Sequence, residues 1–116
     1  MHETMVAKNL LDSISAEAVK NKARPIAAAI SCGTFNAVND EVLTFAFDAI
    51  AKGTVCEGMK LRIEHKSIQG KCSGCGKKFD FDLTKSGCTY CGCDKFDLLP
   101  DPPLLLEEIE FEENNE

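Results

Sequence analysis

Residues 59–76 read MKLRIEHKSIQGKCSGCG, and two patterns meet inside them. Met59, Leu61 and Ile63 alternate with Lys60, Arg62 and Glu64, the period-two signature of a strand with one buried face. After Lys66 that pattern stops. Gly70, Gly74, Gly76, Gly87 and Gly92 follow, together with five of the chain's seven cysteines. No part of that segment can bury a core unaided, so the chain before Lys66 and the chain after it must be held by different forces.

Working back from residue 59, Val6, Leu10, Ile14 and Ala18 recur every four positions between Glu3 and about Asn21, and Met5 and Leu11 widen the stripe. This spacing predicts an amphipathic helix, with Pro25 just past its end. PIAAAISCG (25–33) alternates Ile26, Ala28, Ile30 and Cys32 with smaller residues, predicting a half-buried strand on which a helix can pack closely. NDEVLTFAFDAIAKG (39–53) predicts a second helix, capped by Asn39 or Asp40 and ended by Gly53. Its buried stripe is Val42, Leu43, Ala46, Phe47 and Ile50, with acids placed in its first turn. Downstream, LLPDPP (98–103) gives way to LLLEEIEFEE, a third strand. Leu104 and Leu106 are followed there by Ile109 and Phe111, so the Glu107–Glu108 pair shifts the alternation and predicts a bulge.

The expected architecture is α+β: a small two-layer domain of two helices on one face of a three-stranded sheet, carrying an inserted four-cysteine, zinc-ribbon-like module. The domain takes residues 1–66 plus 104–116 and the module takes 67–103. Residues 113–116 are expected as a disordered acidic tail.

A chain of 116 residues is long enough for one modest core. No apolar run approaches a membrane span. Glu3, Lys8, Asn9 and Asp12 interrupt what would have to be a signal-peptide core, so the expected location is the cytoplasm. An odd number of cysteines with no export signal argues for reduced thiols and metal ligation over a disulfide scaffold. The net charge of −6 is unevenly placed. Residues 1–66 and 67–103 are each balanced, and the last thirteen residues hold six glutamates and no base. With no basic face, nucleic acid is not an expected partner.

CSGCG (72–76) and CTYCG (88–92) are two C-x-x-C-G knuckles separated by twelve residues. In each, two thiolates converge on one ion while small residues let backbone N–H groups approach the sulfurs. Cys72, Cys75, Cys88 and Cys91 complete a tetrahedral set suited to structural zinc, and iron in a rubredoxin-like electron carrier would use the same grammar. Cys93 is surplus and could substitute for Cys91. Cys32 and Cys56 read as small buried residues.

The chain opens MHETM. A free α-amine, the amide nitrogen of residue 2 and the His2 imidazole can close consecutive chelate rings on one ion, with a carboxylate or water completing the set. Such nitrogen-rich, near-planar donation suits Ni(II) or Cu(II). Taken alone, however, a histidine at position 2 is a frayed-terminus residue, and His65, ending its strand, is a solvated turn residue.

The terminal MHE, LTFAFDAIAKGT (43–54), EGMKLRIE (57–64), the paired knuckles and a final IEFE (109–112) together give the chain a whole-length resemblance to the HypA/HybF family of hydrogenase nickel-incorporation proteins. The resemblance implies a metallochaperone, not an enzyme, that binds Ni(II) as transferable cargo and assists its insertion into the large subunit of a NiFe hydrogenase. It implies work with a HypB-type GTPase. Met1, His2 and Glu3 would hold nickel, with Asp40 a further candidate, and Cys72, Cys75, Cys88 and Cys91 would hold structural Zn(II). Delivery to another nickel enzyme such as urease is equally compatible with these residues, as is a homodimer; a membrane is not an expected partner. CTYC stands where relatives commonly have C-P-x-C, and DPP replaces a Gly-x-Glu before the last strand. No phosphate-binding loop or nucleophilic constellation accompanies these motifs.

Overall fold

The structure, a computed structural model, describes residues 2–81, 84 and 87–113. Met1 and most of the expected acidic tail (114–116) lie outside the described residues. The chain runs α1 (Glu3–Asn21), β1 (Pro25–Cys32), α2 (Asp40–Ala51), β2 (Lys60–His65), β3 (Gln69–Cys72), β4 (Lys78–Asp80), β5 (Phe96–Leu98) and β6 (Leu105–Phe111).

The first sheet has the order β2-β1-β6. β1 and β2 are parallel, which requires a crossover, and α2 supplies it. β6 returns antiparallel along the other edge of β1. The core joins Val6, Leu10 and Ile14 of α1 and Leu43 and Phe47 of α2 to Ala28, Ile30 and Cys32 of β1. Small side chains on the central strand let both helices settle on one face, as their spacing predicts. The second helix buries a narrower stripe than expected: Leu43, Phe47 and Ala51 are buried, while Val42 and Ile50 are exposed.

Both register shifts in the β1–β6 ladder have consequences. Between Pro25 and Ala27 an extra residue, Ile26, is left over, which explains why it is exposed and not part of the predicted inward alternation. Between Ala29 and Ile30 the extra residue is Glu107, within the predicted bulge. Its carboxylate accepts the Ser31 hydroxyl at 2.6 Å and the Lys66 ammonium at 3.3 Å. The Ser31 bond, then Lys66, hold the Glu107 carboxyl below its ordinary value.

Beyond Lys66 the chain forms a second antiparallel sheet, β4-β3-β5, too short for the sequence pattern to announce. Its only large buried side chain among the described residues is Phe79, which meets Phe96 edge-on with ring centroids 5.3 Å apart. The two sheets stand end to end: the Cα radius of gyration is 18.3 Å, against about 13 Å for a compact chain of this length. Among the described residues no helix is long and apolar enough to cross a membrane.

Candidate metal centres

The two knuckles are built alike. Gly76 and Gly92 each close a turn at positive φ (74° and 77°) that a side chain would strain. Their N–H groups bond back to the carbonyls of Cys72 and Cys88. This folding presents further N–H groups to sulfur: Gly74 and Cys75 donate to the Cys72 Sγ at 3.3 and 3.4 Å, and Tyr90 donates to the Cys88 Sγ at 3.3 Å.

Cys72, Cys75, Cys88 and Cys91 thus converge, with all four sulfurs within 4.8 Å of one another. Cys72 and Cys91 stand 3.4 Å apart, and Cys75 and Cys88 3.7 Å. A tetrahedral ion with sulfur at ~2.3 Å has edges of about 3.8 Å, so the four donors stand close to the spacing of one thiolate-bound metal. Cys93 is outside the set of four but packs against it, its thiol 3.7 Å from the Lys95 carbonyl.

The electrostatics prepare thiolates. The Cys75 N–H, opposed by burial and aided by the Cys91 thiol and the Gly74 N–H, pulls the Cys72 thiol down to about 6. Burial is the largest influence on Cys88 and acts upward, yet the Cys91 and Tyr90 N–H groups leave that thiol below its ordinary value. At Cys91 the Cys93 N–H acts downward, but hydrogen bonding with Cys72, burial and the other two thiols carry it up to about 12. A divalent cation bound by these sulfurs would displace any protons they carry.

The candidate nickel residues lie at the opposite end of the chain. His2 is exposed and forms the N-cap of α1 through its carbonyl, which accepts the Val6 N–H; its imidazole makes no capping bond. The Glu3 Oε1 accepts the Asn39 N–H at 3.2 Å, and this bond does most to lower the Glu3 carboxyl. Asn39, not Asp40, caps α2, its side chain accepting the Val42 N–H at 3.0 Å. The N-termini of both helices therefore meet beside the carboxyl ends of the parallel strands β1 and β2.

At that edge His65, exposed at the end of β2 as its reading expects, also has partners. Its Nε2 lies 2.6 Å from the Asp40 Oδ1 and its Nδ1 3.4 Å from the Cys32 Sγ. Cys32, buried as expected, is also the register partner of His65. Parallel pairing places both residues at the same edge as the start of α2. A signal existed, since a β-α-β order implies parallel strands whose carboxyl ends face the crossover helix's partner edge.

A four-cysteine cluster able to hold one ion, tethered to a small α+β body, defines a metal-binding protein. The model of the family described as HypA, hydrogenase/urease nickel incorporation, metallochaperone, matches residues 1–111. Hydrogenase maturation factor HypA of Chlorobium phaeobacteroides (strain BS1) is 32% identical over 97% of this chain and 100% of its own length, and that of Aquifex aeolicus (strain VF5) is 28% identical over 97% and 98%. The chain belongs to the HypA family of nickel-incorporation metallochaperones. The fold is shared with the solution structure of the Ni metallochaperone HypA from Helicobacter pylori, with a TM-score of 0.62, 22% identity, and coverage of 96% of this chain and 97% of that one. A second HypA solution structure gives a TM-score of 0.68, 22% identity, and 96% of each chain.

Proposed function

We propose that this chain carries Ni(II) at its N-terminus and assists its insertion into the large subunit of a NiFe hydrogenase during maturation. Met1 through its amine, His2 and Glu3 hold the cargo, with Asp40 beside them as a further donor, while Cys72, Cys75, Cys88 and Cys91 hold Zn(II) as a structural ion. The protein is a carrier and not an enzyme; a HypB-type GTPase supplies nucleotide hydrolysis, and the work is done in the cytoplasm. Residues 1–66 with 104–116 form the nickel-binding body and 67–103 the zinc module. What supports this reading is the separation of an exposed terminal edge from a sulfur cluster whose four donors are already committed to one another.

The chemistry of the two sets divides the roles. Four thiolates fill a tetrahedral zinc shell and leave no position open. The terminal amine, amide and imidazole suit the nitrogen-rich geometry of Ni(II), and an exposed ion can be taken by ligand exchange. The urease alternative uses the same site and differs only in the recipient.

Metal analysis of the wild type beside His2→Ala tests the assignment. Stoichiometric zinc in both, with nickel affinity lost in the variant, is the expected result. Unchanged nickel binding, either in the variant or in a protein whose N-terminus is extended by extra residues, would overturn it. Iron in the sulfur cluster would announce itself as a red protein on purification.

A further inference from the structure

The joint between the two sheets is thinly packed. β3, β4 and β5 pack mainly on one another, and a cleft of about 450 Å³ opens at the joint, lined by Glu64, His65, Lys66, Gln69, Leu99 and Pro100. The outgoing and returning arms are tied to each other by the Leu99 N–H on the Gln69 carbonyl at 2.8 Å. That bond makes the arms one stalk but does not aim it. Something else has to fix the stalk against the body.

Among the described residues, the Asp101 side chain bridges that joint. The Asp101 Oδ1 accepts the Thr34 N–H at 2.8 Å, and its Oδ2 accepts the N–H groups of Phe35 (2.9 Å) and Asn36 (2.7 Å) and the Asn36 side-chain amide (2.9 Å). Three consecutive backbone N–H groups converging on one carboxylate make an anion nest, and ionised acceptors give the stronger class of hydrogen bond. Gly33 makes room for it. A Cβ there would stand 2.5 Å from both carboxylate oxygens. Pro100, Pro102 and Pro103 limit the backbone freedom of the arm that delivers Asp101.

We infer that Asp101, seated in the Gly33–Asn36 nest, is a clasp that sets the orientation of the four-cysteine module on the α+β body, and that opening it frees the module to swing on residues 66–69 and 99–103. The nest loop runs on to Asn39, whose N–H donates to the Glu3 carboxylate. A single loop is therefore held by carboxylates at both ends, one from the module's arm and one from the start of α1.

Two variants test this in the full-length, zinc-loaded protein. Asp101→Ala removes the carboxylate, and Gly33→Ala leaves Asp101 in place but takes away its seat. Spin labels on an exposed α1 position and on a module strand report the distance between the bodies by pulsed electron resonance. The clasp predicts one narrow distance population in the wild type and a broadened one in both variants. Amide exchange at Thr34, Phe35 and Asn36 should accelerate at least about tenfold. Zinc content and the dispersion of the Ala28, Ile30 and Leu43 amides, read on the same samples, should stay at wild-type values, which separates an open clasp from a damaged fold. A distance distribution as narrow in both variants as in the wild type, or a wild type already broad, would overturn it.

Discussion

Cys75 is exposed, and its sulfur faces the other three thiols and no part of the α+β core. Cys75→Ala therefore removes one metal donor while taking nothing from the body. A structural zinc site contributes roughly 10–16 kcal/mol of apparent folding free energy at neutral pH. Sharing that equally among four donors puts the loss at about 3 kcal/mol or more, a metal affinity lower by a factor of at least ~100. The module has little to set against this, because among its described residues the large buried side chains are Phe79 and Ile68, with Phe96 half-buried alongside. Burial of such a ring is worth about 3 kcal/mol at most, and an edge-on ring pair adds roughly 1 kcal/mol. The module should consequently lose its fold while the body keeps its own. Nitrogen-15 correlation spectra check both halves at once, with zinc measured on the same sample. Amides of Gly70, Phe79 and Phe96 should collapse to unstructured positions, and those of Ala28, Ile30 and Leu43 should not move. A variant that keeps dispersed module amides after zinc is lost would refute the reasoning, because apolar packing alone would then suffice.

Phe47→Ala should act on the other half: the ring is fully buried between helices and sheet, and its removal should cost about 3–5 kcal/mol in denaturant unfolding of the body, with zinc content unchanged. Glu107 should contribute to the acid limb of stability. Its folded carboxyl lies below the ordinary value of 4.5, so its stabilisation is complete above that value and lost as the pH falls through the lowered one. Glu107→Gln should flatten that limb of a denaturation-midpoint profile, and an unchanged slope would refute the assignment.

The helices, the three-strand sheet and the bulge were legible because each leaves a periodic trace: period four in Val6, Leu10 and Ile14, period two in Met59, Leu61 and Ile63, and a one-residue slip at Glu107. The four converging cysteines were legible because C-x-x-C-G spacing is itself geometry, a turn that must bring two sulfurs together. Ile26, Val42 and Ile50 were misplaced because periodicity gives a face but not its width; a bulge and the narrow span of three strands decided which residues fell outside. The contacts of His65 and Asp101 left no local trace at all. Their partners are 25 and 33 residues away for His65 and 65 to 67 for Asp101, and only the parallel register and the returning arm bring them together.

The proposed division between a held ion and a carried one rests on how each candidate site is supported. At the sulfur cluster two of the four thiols, Cys72 and Cys88, are buried, and both accept backbone N–H bonds that stabilise the thiolate. An incoming ligand would have to displace a sulfur whose charge the fold already satisfies, so exchange there competes with the folding of the module itself. At the proposed terminal site the His2 ring is exposed and caps nothing, and the Glu3 carboxylate accepts the Asn39 N–H at the start of α2. Taking an ion from that edge exposes no core and breaks no sheet. A carrier needs this asymmetry, since a site that is part of the fold cannot be emptied at each delivery without refolding the protein. Cargo held at the proposed terminal site would leave the body and the module intact whether or not nickel is bound.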